Sequence, residues 1–301
     1  MPFTVARYPD ATAFLAATEP FLMEREALNS MILGVARAQQ RLQDAPRARR
    51  RRPPLFVAVH GPAGPVLAGL GSAARKFLLA AAGSEPNDAA LTALVRDLCA
   101  RASDVPSVFG EAALAQRFAE LYGAAAGRAY ELKVHQRLHE LTNAVLPAAE
   151  PPGRLRPATV RESELLADWL LAFQIEAMPH EAGDREAAAI IIDRLLAHKD
   201  IFVWETDAGE PPRPVAMAAR ARPTSRGIAI NLVYTPPAER RQGYATALVA
   251  HLSRLLLDSG WQFCTLFTDQ SNATANRVYA RIGYRPIADF VEYRFLPQST
   301  G

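Results

Sequence analysis

Residues Val233–Ala250 read Val-Tyr-Thr-Pro-Pro-Ala-Glu-Arg-Arg-Gln-Gly-Tyr-Ala-Thr-Ala-Leu-Val-Ala, so an apolar strand passes through a Pro-Pro turn into a helix that begins on small residues. Proline fits neither a helix interior nor a central strand, and the break between the two elements therefore falls at Pro236 and Pro237. At the mouth of such a helix several backbone N–H groups lack an intrahelical acceptor and the macrodipole is positive, so an anion is held there with little help from side chains. Gly243 has no Cβ and Ala245 almost no side chain, which lets phosphate oxygens approach the backbone. The spacing Arg240-x-x-Gly243-x-Ala245 is neither a Walker loop nor a Gly-x-Gly-x-x-Gly dinucleotide fingerprint.

A chain of 301 residues is long enough for two domains of about 150 residues each, and its 50% apolar content supplies two cores. The segment Leu146–Pro157 holds four prolines and a glycine and marks the boundary, giving expected domains at 1–150 and 151–301. A net charge of +3 favours anionic ligands only mildly and falls short of a nucleic-acid signature. Cys99 and Cys264 have no Cys or His neighbours at metal spacing, so neither a disulfide framework nor a metal site is expected and a reduced, cytoplasmic setting fits. Met1–Asp10 lacks the pattern of a signal peptide and no apolar run approaches ~20 residues, so the chain reads as soluble, without a membrane partner.

Downstream of the boundary, Leu155–Thr159 reads as a strand, Glu162–Met178 and Asp184–His198 as helices, and Ile201–Glu205 with Pro214–Ala221 as a hairpin. Gly227–Tyr234 is the next strand. A helix from Gln242 to Ser259 ends at Gly260, and Phe263–Thr268 forms a strand. Ala273–Ile282 is a helix ended by Gly283, and Val291–Phe295 a final strand. The order β-α-α-β-β-β-α-β-α-β is that of an α/β mixed sheet with helices on both faces. The first half repeats the pattern: helices within Ala11–Arg41, a hairpin at Leu55–His60 and Val66–Leu70, then a strand at Lys76–Ala82. It continues with a helix at Ala89–Arg101, a strand at Val105–Phe109, a helix at Ala112–Tyr122, and strand or helix at Tyr130–His139. Where the second half has Arg-Arg-Gln-Gly-Tyr-Ala the first has Ser84-Glu85-Pro86-Asn87-Asp88, whose acids repel a diphosphate. Aligning the late helices sets Ala112 opposite Asn272 and Ala119 opposite Tyr279.

After the strand Phe263–Asp269 comes Ser271-Asn272-Ala273-Thr274-Ala275-Asn276-Arg277-Val278-Tyr279-Ala280-Arg281-Ile282-Gly283-Tyr284. This block is similar to Asn-x-x-Ala-x-x-x-Tyr-x-x-x-Gly-Phe/Tyr, with one residue's liberty over the alanine. Together with Arg240-x-x-Gly243-x-Ala245 it makes the stretch Arg154–Phe295 resemble the GCN5-related N-acetyltransferase (GNAT) superfamily, within it a bacterial group of predicted acetyltransferases with a divergent N-terminal half. The resemblance implies tandem acyl-CoA N-acyltransferase folds: residues 151–301 bind acetyl-CoA and acetylate an amine, whereas residues 1–150 are a divergent copy without cofactor. It also implies residue roles. The strand Asn231–Tyr234 should splay from its neighbour, so that backbone groups of Leu232, Val233 and Tyr234 hold the pantetheine arm and polarise the acetyl carbonyl. Amides of Arg241, Gln242, Gly243, Tyr244, Ala245 and Thr246 should bind the diphosphate. Arg240, Arg241 and Arg277 should meet phosphate charge, Asn272 and Asn276 should face the pantetheine, and Tyr279 should protonate the departing thiolate.

Elementary chemistry asks for the same parts. Attack of an amine on a thioester builds negative charge first on the carbonyl oxygen and then on sulfur, so donors are needed at both. A tyrosine with a pKa of about 10 is protonated at neutral pH and can supply one. For the general base, the strand Asn231–Thr235 carries no acid, which leaves Glu205 on the preceding hairpin and Glu176 on the early helix as candidates.

Each residue also has a plainer role. Gly243 and Ala245 can be helix-start packing residues, Tyr279 a core aromatic and Asn272 an N-cap, while Trp204, Trp261 and Phe263 read as core. The run Arg47–Arg52 has no interleaved aromatics and reads as a solvated loop rather than a nucleic-acid contact. His135 and His139 have i, i+4 spacing but no third ligand. The rival to an enzyme is a non-catalytic acyl-CoA sensor or structural module. The acceptor stays open among small-molecule amines, amino acids and protein N-termini, and the first half is left as scaffold, cleft wall or homodimer contact.

Overall fold

The computed structural model describes residues 3–42, 54–71, 76–83, 85–177, 183–208 and 211–297. The arginine run at 47–52 lies outside the described residues. The elements are β1 (Thr4–Tyr8), α1 (Ala11–Met23), α2 (Ser30–Arg41), β2 (Leu55–Gly61), β3 (Gly64–Gly71), β4 (Phe77–Ala81), α3 (Asp88–Ala100), β5 (Ser107–Glu111), α4 (Ala112–Ala126) and β6 (Tyr130–Leu141). The same order then recurs as β7 (Arg154–Pro157), α5 (Ser163–Ala177), α6 (Arg185–Ala197), β8 (Ile201–Thr206), β9 (Arg213–Ala221), β10 (Gly227–Tyr234), α7 (Tyr244–Asp258), β11 (Phe263–Asp269), α8 (Ala273–Ile282) and β12 (Arg285–Phe295). Short 3₁₀ turns at Val160–Glu162 and Pro237–Glu239 precede α5 and α7. Strand β1 was not legible in the sequence, because five residues with one polar interruption give too short a period-2 signal. Segment 130–141 is a strand, which places His135 and His139 about 13 Å apart along it rather than one helical turn apart.

The chain folds into two compact units. The first comprises Met1–Leu138, Phe267–Ser271 and Pro286–Gly301, the second His139–Leu266 and Asn272–Arg285. In the first unit the strands run β1-β2-β3-β4-β5-β12-β6, with β4 and β5 parallel. Helices α3 and α4 cover one face through Leu91, Leu94, Leu98, Leu114 and Phe118. Helices α1 and α2 cover the other through Phe14, Leu15, Leu22, Ile32 and Leu33. In the second unit the order is β11-β10-β9-β8-β7, with β10 and β11 parallel. There α7 and α8 lie on one face against Ala216, Ala218, Ile228 and Ile230, and α5 and α6 on the other against Val203, Met217 and Ala219. The mixed sheets with helices on both faces are those expected from the sequence. Among the described residues no helix is long and apolar enough to cross a membrane.

The units are not the contiguous halves 1–150 and 151–301. Strand β12 pairs antiparallel with β5 from Phe290 opposite Glu111 to Arg294 opposite Ser107, and it buries Val291 and Phe295 in the core under α3 and α4. Glu292, 1% exposed, lies between Lys76 at 2.9 Å and Lys133 at 3.2 Å, which compensates a buried carboxylate. The proline-rich segment at the expected boundary is packed structure within the second unit. Trp204 Nε1 donates to the Pro152 carbonyl at 3.1 Å, and Gly153 has φ +122° with its carbon so close to β8 that a Cβ would stand 2.2 Å from the Glu205 carbonyl oxygen.

A chain ending at Arg285 removes the antiparallel partner of β5 and leaves the positions of Phe290, Val291 and Phe295 empty in two cores. Losing several large core side chains costs roughly 3–5 kcal/mol each. The truncated protein is expected to lose cooperative unfolding or to melt more than about 10 °C lower, as followed by circular dichroism. An unchanged Tm would show that β12 is dispensable.

Candidate functional site

In the second unit α7 starts without a capping side chain. Its N-cap is Gly243 in the left-handed region at φ +87°, no side chain bonds the first turn, and that turn carries no acidic residue. Among the described hydrogen bonds, the first amide after the cap to find a backbone acceptor outside the helix proper is Ala247, which donates to the Gly243 carbonyl at 3.0 Å. No described hydrogen bond uses the amides of Arg241 to Thr246. Arg241, Gln242 and Gly243 are exposed, and Ala245 and Thr246 are half-buried. Arg241 also has positive φ, +65°. Residues in the left-handed region just before a helix turn successive N–H groups to one side, the concavity that binds anions. A Cβ on Gly243 would come no nearer than 3.8 Å to Pro151, so glycine is required there by φ rather than by lack of space.

The strand leading to this turn is irregular. On β10, Asn231 pairs with Ala219 and Tyr234 with Met217, so three residue steps on β10 face two on β9, a one-residue bulge. Leu232, inside it, has φ +52°, a conformation that strains a bulky residue by about 1–2 kcal/mol. On its other edge β10 pairs in parallel with β11 over Gly227–Ala229 opposite Phe263–Thr265, and among the described residues this ladder goes no further. From Ile230 onward that edge of β10 is free of β11. This is the separation of strands expected at Asn231–Tyr234, and the strained bulge inside it is a detail no residue type announces.

Two more of the expected site residues lie on α8 and its cap. Asn272 is the N-cap, its Oδ1 accepting from Ala275 N at 3.0 Å, and it is exposed. Tyr279 is 9% exposed in the core shared with α7, and its ring meets that of Tyr284 edge-on at 5.9 Å. Burial pushes its hydroxyl pKa up to about 12. The Tyr284 hydroxyl is engaged by Ser253 Oγ at 2.9 Å, whereas no described hydrogen bond holds that of Tyr279. Asn276 is half-buried on the same helix, and Arg277 is exposed.

Both candidate bases are ion-paired. Glu176, at the end of α5, receives Arg240 Nη2 at 2.7 and 3.0 Å. Arg240 Nε donates to the Thr235 carbonyl at 2.9 Å, and its guanidinium stands 5.7 Å over the Tyr234 ring. Arg240 thus braces the loop to α5 rather than pointing its charge at the mouth of α7. Glu205 lies on β8 and accepts from Arg156 Nε at 2.7 Å and Arg154 Nη2 at 3.1 Å, both on β7. The structure does not bring Glu205 to β10, because β9 stands between the two strands.

The corresponding positions of the first unit are closed. Asn87 caps α3, accepting from Ala90 N at 3.1 Å, and Asp88 adds a negative charge to its first turn, paired with Arg117 at 2.6 Å. Strand β4 pairs with β3 without a bulge from Leu67 opposite Ala81 to Gly71 opposite Phe77. The N-caps of the late helices are Glu111 and Asn272, so counting seven residues from each cap sets Phe118, not Ala119, opposite Tyr279. The alignment made from sequence is one residue out because the cap, not the first apolar residue, fixes helix register. Phe118 is fully buried and carries no hydroxyl.

Residues 164–284 match the family model described as acetyltransferase (GNAT) family. No curated protein matches the chain. Among solved structures, a GNAT-family acetyltransferase from Colwellia psychrerythraea is 12% identical with TM-score 0.58, covering 97% of this chain and 100% of that one. A GCN5-related N-acetyltransferase from Sphaerobacter thermophilus is 17% identical with TM-score 0.59 over 97% and 95%. A tandem GNAT protein from the clavulanic acid biosynthesis pathway is 11% identical with TM-score 0.56 over 99% of each chain. At these identities the neighbours speak for the fold. With the family match over the segment that carries the bulged strand, the uncapped helix and Tyr279, residues 164–284 are a domain of the acetyltransferase (GNAT) family.

Proposed function

We propose that the second unit transfers an acetyl group from acetyl-CoA to a primary amine by direct attack in a ternary complex. The observation that carries this reading is the mouth of α7: amides from Arg241 to Thr246 that no described hydrogen bond uses, the first three on exposed residues, beside a glycine in the left-handed region, with no capping side chain and no acid. These groups fit a diphosphate. Arg241 and Arg277, both exposed, are the cations left to meet its charge, since Arg240 is engaged by Glu176. The freed edge of β10 at Leu232–Tyr234 fits the amide-bearing pantetheine arm, as an added strand does, and Asn272 and Asn276 stand at the start of α8 for the same arm.

In the reaction a nitrogen–carbon bond forms and the carbon–sulfur bond breaks. Tyr279 gives its proton to the departing thiolate, and the proton released by the amine returns through solvent. Because burial keeps the Tyr279 hydroxyl protonated to about pH 12, the acid is in its working form at any ordinary pH. Glu176 and Glu205 are both neutralised by arginine, so we assign neither as base and let the amine enter as its neutral fraction. The first unit, with α3 capped and Phe118 in place of a tyrosine, serves as scaffold without cofactor. The two free cysteines fit a reducing, cytoplasmic setting.

Calorimetric titration of the full chain with acetyl-CoA is expected to give one site, and Gly243→Val to weaken it at least about tenfold, through backbone strain and loss of close approach. Absence of binding by the unaltered chain sinks the transferase reading. Tyr279→Phe is expected to lower kcat by about 10²-fold with Kd for acetyl-CoA within about twofold. An unchanged rate removes Tyr279 as the acid, and binding without turnover on any amine favours a sensor. The raised pKa also links to stability. The folded state keeps the Tyr279 proton while the unfolded chain loses it near 10, so stability is full below about pH 10 and falls as pH rises toward 12. Thermal melts between pH 9 and about 11.5 should therefore decline less steeply in Tyr279→Phe than in the unaltered chain.

A further inference from the structure

The layer between the sheet of the second unit and α5 contains buried oxygens without partners. Four buried side-chain polar atoms among the described residues have no hydrogen-bond partner: Gln174 Oε1, Asn231 Oδ1, Thr235 Oγ1 and Glu292 Oε2. Glu292 Oε2 sits 2.9 Å from Lys76 Nζ, so its charge is met. The other three all belong to the end of α5 or the bulged end of β10 and the residue after it. Register fixes where the two amides point. Asn231 is the cross-strand partner of Ala219, and paired residues share a face of the sheet. Ala219 packs with Leu166, Leu170 and Ile192, so Asn231 faces the α5 and α6 layer. Gln174 follows Leu166 and Leu170 at steps of four on the inner stripe of α5 and faces the same layer. Both positions would hold apolar residues if packing alone chose them.

Among the described residues beside this layer the charges cancel. Glu176 and Arg240 neutralise one another, and Trp169 and Tyr234 form its aromatic wall with ring centroids 6.4 Å apart. An amino acid would need a free cation for its carboxylate, and a polyamine a free carboxylate for its second ammonium. A polyhydroxylated amine needs what is present, uncharged oxygens that accept hydrogen bonds. Resting on the acetyltransferase reading, we propose that Asn231 and Gln174 recognise the acceptor and select a carboxylate-free amine rich in hydroxyl donors, of the amino-sugar class.

Buried amide oxygens without a partner cost stability, and a ligand that donates hydrogen bonds to them offsets that cost. The test uses the full chain, with Asn231→Leu and Gln174→Leu made singly, and glucosamine, spermidine, phenylalanine and phenethylamine as acceptors, followed by thiol release. Glucosamine is expected to have the highest kcat/KM of the four. Each substitution is expected to raise its KM by about tenfold. Kd for acetyl-CoA should stay within about twofold, and Tm should hold or rise by about 2–5 °C, since an apolar side chain replaces an unsatisfied one. A structural role for the amides would instead lower Tm and leave acceptor preference alone, and that result overturns the proposal. Failure of glucosamine to react, or a preference for one of the other three amines, overturns it too. If acetyl-CoA does not bind the unaltered chain at all, the transferase reading falls and this proposal with it, an outcome the calorimetric arm separates from the others.

Discussion

The first amides of a helix have no acceptor inside it, and a folded chain must meet them with side chains, with water or with a ligand. In the second unit Thr159 and Glu162 close the turn before α5 with a reciprocal capping box, Asp184 closes α6 and Asn272 closes α8. Only α7 among them begins on a glycine with no side-chain partner. The rest of the site is arranged around that exception. The Pro236-Pro237 turn ends β10, the 3₁₀ turn at Pro237–Glu239 redirects the chain, and two residues of positive φ, Arg241 and Gly243, aim the exposed amides. The Glu176–Arg240 pair ties the loop to α5, which holds the turn in place without adding a net charge beside it.

Of the four described non-glycine residues of the second unit with positive φ, Lys199 and Arg222 follow α6 and β9, and the other two lie where backbone groups are left free. Leu232 at φ +52° and Arg241 at φ +65° are non-glycine residues in the left-handed region, ten residues or fewer apart, on either side of the Pro-Pro turn. Each costs about 1–2 kcal/mol and persists only because the surroundings over-determine it. For Leu232 the surroundings are the paired β9 on one side and the α5 layer, into which its side chain packs. The parallel ladder with β11 stops at Ala229, so the bulge falls where β10 has lost one of its neighbours. A bulge there alters backbone direction without breaking a two-sided ladder.

The two halves of the chain repeat one order of elements but differ in local chemistry. In the first, Asn87, Asp88 and Phe118 stand where an open helix mouth and a tyrosine stand in the second. These are changes of local chemistry that leave the packing intact, since each sheet still carries a pair of helices on each face. The pairing of β12 with β5 means that the last residues of the chain complete the first unit, so neither half of the sequence can be cut out along its midpoint.

Local chemistry was legible because it is written in adjacent residues. Pro236-Pro237, Gly243 and the Asn272-to-Gly283 helix each follow from what one residue does to its own backbone, and so do Asn87 and Asp88 at the start of α3. Elements with strong period and clear stops were found, and the short β1 and the one-residue register of α4 were not. What only the tertiary structure decided involves residues far apart in the chain. Arg240 looked free for phosphate until α5 brought Glu176 to it, and Glu205 looked free as a base until β7 brought Arg154 and Arg156. Asn231 and Gln174 are unremarkable in sequence and become unpartnered only when a strand and a helix bury them together. A residue's identity fixes its backbone preference and its stock of donors and acceptors; which of those are already used depends on neighbours that folding supplies.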